Sequence, residues 1–192
     1  MVSIRLAEPQ DADKLYQFRQ DEEVMFWSAG GIGYAITSKS DIAEMLETQS
    51  TRNGSMVYVV EVEEEQEDTG EKERLVIGTI SFREMDMIAR HATIGMLIGD
   101  RNYWGRGLGT EIVRQFVRLL FTRFNMNRIN IDTFADNVRA IRCYEKVGFV
   151  VEGRRPQKMW TMNGLRDQVL MGLLREDWLQ TEDGQRVHYL DS

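Results

Sequence analysis

Three glycines at alternate positions, Gly105, Gly107 and Gly109, separate two apolar segments of this 192-residue chain. Before them runs Ile94-Gly95-Met96-Leu97-Ile98-Gly99, which reads as a strand. After them Val113, Phe116, Val117, Leu120, Phe121 and Phe124 form the stripe of an amphipathic helix. Strand, glycine loop and helix N-terminus together present several N–H groups and a helix dipole to an anion. The matching chemistry is the grip on a phosphate, as in a phosphorylated cofactor, with Arg106 adding a cation. A tight connection that needs only glycine's φ freedom uses the same residues, so the loop alone leaves both readings open.

Other cofactor loops fit less well. A dinucleotide fingerprint opening at Gly105 requires glycine where Thr110 stands, and one opening at Gly107 requires it where Ile112 stands. The Gly-Lys-Ser or Gly-Lys-Thr ending of a nucleoside triphosphate loop does not occur. A second constellation lies on the next helix. Asn137 opens it, Ala140 and Tyr144 follow along one face, and Gly148-Phe149 ends it. Asn137 is also a favoured N-cap, worth about 1 kcal/mol. Tyr144 has an equally ordinary reading as a core ring whose hydroxyl finds a partner.

The two constellations at this spacing resemble the GCN5-related N-acetyltransferase (GNAT) superfamily, over Ile77 to Asp177. There an Arg/Gln-x-x-Gly-x-Gly/Ala loop grips the pyrophosphate of acetyl-CoA, and an Asn…Tyr…Gly-Phe helix follows. Within the superfamily the chain is most similar to the branch that acetylates ribosomal-protein N-termini and polyamines. The residues that carry this are Tyr103-Trp104-Gly105-Arg106-Gly107 and Asn163-Gly164 with Asp167.

The resemblance implies an α/β fold: a single mixed, mostly antiparallel sheet of six to seven strands, flanked by about four helices. It implies acetyl-CoA as cosubstrate and direct acetyl transfer to a primary amine in a ternary complex. The acceptor would be a protein N-terminal α-amine or a polyamine. An amino sugar or drug amine is the alternative acceptor, and a CoA-binding regulatory protein without turnover the alternative role. A homodimer is among the implied assemblies. Backbone groups of Met96, Leu97 and Ile98 would hold the pantetheine arm and the thioester carbonyl, with Leu97 at the reacting carbon. N–H groups of Trp104, Gly105, Arg106, Gly107, Leu108 and Gly109 would hold the pyrophosphate. A helix N-terminus contributes about 0.3–1 kcal/mol to an exposed anion, so several converging donors are required. Asn137 would reach the cofactor arm. Tyr144 would contact it too and protonate the departing thiolate, as a phenol with pKa near 10 can at pH 7.

One position departs from the family pattern: Trp104 stands where Arg or Gln is usual. An indole cannot pair with a phosphate, which leaves Arg106 as the side-chain contact or as a solvated loop arginine. Cys143 reads as a packing residue, since direct transfer needs no thiol nucleophile.

The acceptor must attack as a neutral amine. Deprotonating a polyamine nitrogen of pKa near 10.4 costs about 4–5 kcal/mol at pH 7, and an α-amine near 8 only about 1–1.5 kcal/mol. Many relatives carry a glutamate on the strand before the loop, but here that stretch is Ala92-Thr93-Ile94. Glu84 is the candidate base, with Asp86 beside it, both placed just after the preceding strand. Their ordinary reading is loop acids. His91 sits at the far end of its strand and reads as structural. The missing glutamate leans towards an α-amine. Acceptor recognition falls on the irregular segment 21–37, where Glu22, Glu23, Phe26, Trp27 and Tyr34 offer charge and ring faces to a cation. Phe26 and Trp27 have an equal claim as core residues.

The elements that must position these groups follow from periodicity and punctuation. Strands are predicted at 3–7, 56–62, 75–82, 91–98, 128–133, 149–153, 157–162 and 165–174, and helices from Pro9, over 38–51, 107–124 and 137–147. Asn163-Gly164 marks a hairpin. Residues 1–178 read as one N-acetyltransferase domain and 179–192 as a loosely held polar tail.

The net charge of −7 resides in Glu61–Glu73, with eight carboxylates and one lysine; the rest balances. That run reads as a solvated hairpin tip or loop. No basic excess points to nucleic acid, and no apolar run suits a membrane helix. Two separated histidines offer no metal cluster. With one cysteine and no leader-like start, the expected location is cytoplasmic.

Overall fold

A computed structural model describes residues 1–29, 38–65 and 71–188. Tyr34, one of the expected acceptor contacts, lies outside the described residues. Seven strands form one sheet: β1 (Val2–Leu6), β2 (Met56–Glu65), β3 (Lys72–Asp86), β4 (His91–Ile98), β5 (Arg128–Phe134), β6 (Val150–Thr161) and β7 (Gly164–Leu174). They lie in the order β1-β2-β3-β4-β5-β7-β6. Every neighbouring pair is antiparallel except β4 and β5, which run parallel because a helix carries the chain between them. The mixed, mostly antiparallel architecture is the one expected.

That crossover helix, α4 (Leu108–Thr122), covers one face of the sheet. Its Ile112, Val113, Phe116, Val117, Leu120 and Phe121 are wholly buried against Ile80, Phe82, Ile94, Ile129 and Ile131. On the opposite face α1 (Ala12–Arg19) and α3 (Lys39–Thr48) pack Leu15, Phe18, Ile42 and Leu46 over Val59. The alternation of strand side chains therefore sorts β4 between two layers. Ala92, Ile94, Met96 and Ile98 join the α4 side and Leu97 the α1 side.

The described part of the segment after Asp21 is not irregular. Glu22–Ala29 form α2, whose start is capped by Asp21 Oδ1 accepting from the N–H groups of Glu23 and Val24. Four consecutive apolar residues hid the helical period: Val24 and Met25 are buried while Phe26 and Trp27 are half-exposed. The acidic run is likewise mostly strand up to Glu65. Glu61 is buried beneath Arg5 (2.8 Å) and Glu63 meets Lys72 (2.7 Å). β6 is continuous across Pro156, which an edge strand tolerates, with register shifts on both sides of 153–155.

Helices are more numerous than the four expected; seven α-helices occur among the described residues. Besides α2, the additions are α6 (Arg175–Leu179), at the end of the expected domain, and α7 (Glu182–His188), where a loosely held tail is predicted. The ring of Trp178 lies 5.1 Å from that of Phe121 and is buried in the main core. A Cβ on Gly184 would stand 2.2 Å from the Trp178 carbonyl oxygen, so α7 sits tightly on α6. Trp178→Ala should therefore lower stability by about 3–5 kcal/mol in chemical denaturation. An unchanged midpoint would show that the C-terminal helices stand apart from the core.

Candidate active site

The central seam of the sheet is incomplete. β4 and β5 pair only from His91↔Arg128 to Ile94↔Ile131. Beyond this, β4 continues against β3 as far as Ile98, and β5 against β7 as far as Phe134. Between Gly95–Ile98 and Asp132–Phe134 the strands part. Backbone groups that would have closed the ladder are left for another partner. A cavity of about 1140 Å³ occupies the opening and reaches both faces of the sheet.

The cavity is lined by Met96, Leu97, Ile98, Trp104, Gly105, Gly107, Leu108, Gly109, Asn137 and Tyr144, with the Leu97 side chain on the α1 side. These are ten of the eleven residues expected around a cofactor. Gly107 is the N-cap of α4 at φ +78°, a left-handed conformation that favours glycine. Gly109 faces inward, where a Cβ would press on Met96 Cε at 3.2 Å and Cys143 Sγ at 3.4 Å. The loop therefore offers N–H groups with no side chain in front of them, which suits a pyrophosphate.

Arg106 is the exception. Its guanidinium lies over the Tyr103 ring at 5.1 Å, and it is not among the residues lining the cavity. Trp104 has a different task from the residue it replaces. Its indole Nε1–H donates to the Ile98 carbonyl at 2.8 Å, pinning the loop to the end of β4. Its ring face carries the guanidinium of Arg139 at 4.5 Å. Arg139 and Arg142, on α5 (Val138–Glu145), both line the cavity. Cations thus reach the cavity beside the loop from α5, a contact that no local pattern predicts.

Asn137 caps α5, its Oδ1 accepting from Ala140 N–H at 3.2 Å and its Nδ2 donating to Thr133 Oγ1 at 3.3 Å. Tyr144, on the same helix, is 5 % exposed and packs against Phe149 at 6.2 Å. Burial holds its phenol well above the usual value, reinforced by Cys143 and by the Asp132 carboxylate. Burial likewise raises the Cys143 thiol, which accepts from Thr110 Oγ1 at 3.6 Å and stays in its unreactive form.

The signature of the acetyltransferase (GNAT) domain matches residues 2–150. The chain belongs to the GNAT family of acetyltransferases. It is 27 % identical over 177 residues to the uncharacterized N-acetyltransferase p20 of Bacillus licheniformis, covering 92 % of this chain and 94 % of that one. A shorter match, 45 % over 60 residues, links it to the aminoglycoside N(6')-acetyltransferase type 1 of Klebsiella pneumoniae, covering 31 % and 30 % of the two chains. In fold it is similar to the spermidine N-acetyltransferase of Vibrio cholerae solved with CoA and spermine. The TM-score is 0.79 at 20 % identity, over 93 % of this chain and 98 % of that one.

The remaining expected residues of this acetyltransferase are scattered. Trp27 lines the main cavity, whereas Glu22 and Phe26 border a smaller recess with Arg101 and Met162. Phe26 stacks on Phe134 at 6.4 Å, so it supports the cavity wall from behind. Glu84 and Asp86 lie within β3, not after it. Glu84 accepts from Thr93 Oγ1 at 2.9 Å and is not among the residues lining the cavity. The carboxylate that does line it is Asp132 of β5, on the face opposite α4. In sequence Asp132 is one more polar residue of an alternating strand, and only the parted seam brings it to the cavity.

Replacing Gly107 tests the loop. Gly107→Val combines φ strain with a side chain in the anion's path and should weaken acetyl-CoA binding at least about tenfold by calorimetry. Gly107→Asn, which tolerates the left-handed region, should lose less. Undiminished affinity in the valine variant would remove the loop from the donor site.

Proposed function

We propose that the chain is an acetyl-CoA-dependent N-acetyltransferase that moves acetyl directly to a primary amine, with both substrates bound at once. The observation that carries this reading is the parted seam, which joins two lined half-sites through the sheet. The donor half is the Gly105–Gly109 loop at the start of α4, with Arg139 held over Trp104 beside it. Its N–H groups take the pyrophosphate, and those backbone groups of Met96–Ile98 that face the open seam take the pantetheine arm, the Ile98 carbonyl being held by Trp104. The thioester then stands beside Leu97. The acceptor half is the opposite face, where Asp132, Arg83 and Trp27 line the same cavity.

The amine nitrogen attacks the thioester carbonyl carbon, the C–S bond breaks and the nitrogen loses its proton. Tyr144 delivers a proton to the departing CoA sulfur. Its raised phenol is suited to donating and poorly suited to serving as base. Asp132, and not Glu84, is the carboxylate on hand for the amine. The acceptor is a polyamine or a protein N-terminal α-amine, met in the cytoplasm where acetyl-CoA is supplied. The short match to an aminoglycoside acetyltransferase favours an amino-sugar amine as the second reading.

An acetyl-CoA consumption screen over polyamines, N-terminal peptides and aminoglycosides decides among these acceptors. Turnover with none of them, while acetyl-CoA still binds, would reduce the protein to a CoA-binding one. Tyr144→Phe should keep donor affinity and lower kcat about 100-fold; unchanged kcat would remove Tyr144 from the chemistry. The pH profile carries a sign. A phenol donates only while protonated, and its raised pKa extends that state upward. The kcat of the native protein should therefore show no falling limb between pH 7 and about 9.5. A limb there that disappears in Tyr144→Phe would show the phenol titrating in that range and contradict its raised pKa, whereas a limb that persists in the variant would belong to another group.

A further inference from the structure

On the acceptor face the Asp132 carboxylate is held at both oxygens. Oδ1 accepts from Arg83 Nη2 at 2.6 Å, and Oδ2 accepts from Gln168 Nε2 at 2.8 Å. The two donors differ in kind. Gln168 is 9 % exposed, and its own Oε1 is buried without a hydrogen-bond partner among the described residues. An orphaned buried acceptor is costly, so turning the amide's N–H towards Asp132 comes at the expense of local stability. Such exceptions mark groups that are being positioned. Asp132, with its side chain 18 % exposed, is therefore a fixed anion.

Arg83 is a removable cation. Its side chain is 46 % exposed, and among the described residues it makes no other ion pair. It stands at the last regular pair of β3 with β4, before a register shift and beside Glu84 at φ +54°. Irregularities of this kind re-aim a side chain next to a site. Both Arg83 and Asp132 line the cavity, so the guanidinium occupies the place at the carboxylate that an incoming ammonium would need.

We infer that Arg83 is the specificity-determining gate of the acceptor half-site: its guanidinium is the resting counterion of Asp132, and a cationic amine acceptor binds by exchanging for it. This rests on the proposed transfer to an amine. Exchange of one cation for another leaves the local charge unchanged, so binding discriminates for acceptors that bring their own ammonium and against neutral or anionic ones. It also makes acceptor affinity depend only weakly on salt. Without Arg83 the carboxylate would attract the ammonium unopposed, and screening would then matter.

The experiment measures steady-state transfer by the full chain to spermidine, to an N-terminal peptide and to an aminoglycoside, at low and high ionic strength, with acetyl-CoA affinity followed by calorimetry. Arg83→Gln should lower the acceptor KM about threefold to tenfold, leave kcat within about twofold, and steepen the salt dependence of KM. Arg83→Lys should restore the native KM and its shallow salt dependence, whereas Asp132→Asn should raise KM. Arg83→Met serves the same purpose if the glutamine variant fails to fold. A KM that rises or stays the same in the neutral Arg83 variants would overturn the gate, because Arg83 would then be a direct contact or a mere brace. If the native protein binds acetyl-CoA but acetylates no amine, the proposed function itself falls and the gate with it.

Discussion

Everything the site does depends on where the hydrogen bonding between β4 and β5 stops. The two strands are parallel neighbours for four residue pairs and then diverge, although each remains fully engaged with its outer neighbour. A sheet gives up ladder bonds only where something else uses the freed groups, since buried backbone donors and acceptors are expensive to leave alone. The opening therefore suits the proposed extended donor, whose amide groups match the freed backbone. It also pierces the layer that otherwise separates the two helical faces.

In the proposed reaction the two substrates meet end to end, because the opening runs through the sheet and gives each its own surface. The donor face is built from backbone and dipole, which suits a phosphate of fixed charge. Asp132 and Arg83 give the acceptor face a carboxylate with a guanidinium already on it. Tyr144 sits between these environments. Its burial and the Asp132 charge act in the same direction, keeping the phenol protonated. In the proposed reaction one carboxylate thereby bears on both the arriving amine and the acid that protonates the thiolate.

Trp104 shows how a motif can change a residue and keep its physics. The usual cation of the loop is absent, yet the indole N–H ties the loop to Ile98 and the indole face carries Arg139. In place of a cation at that loop position, a guanidinium stands over Trp104 from the first turn of α5. Arg106, the nearest cation in sequence, is occupied with Tyr103 instead. Proximity along the chain was a poor guide there because a short glycine loop lets successive side chains diverge.

What the sequence determined by itself was local. The glycine loop, the stripe of α4, the cap at Asn137 and the ring at Tyr144 are set by contacts within a few residues, and each stands where its pattern placed it. The family, and with it the donor chemistry, was legible from their spacing. The tertiary structure decided the rest. Asp132, Gln168 and Arg83 come from three strands, and nothing in their own segments distinguishes them from polar residues that face solvent. α2 went unread because its apolar residues are consecutive and bury on more than one side, so no single stripe shows. Glu84 looked like a base in the chain and is spoken for by Thr93 in the fold. The physical reason is the same throughout. A helix or loop carries its bonding partners within itself, whereas the end of a strand pairing, and the carboxylate it exposes, depends on segments far away in the chain.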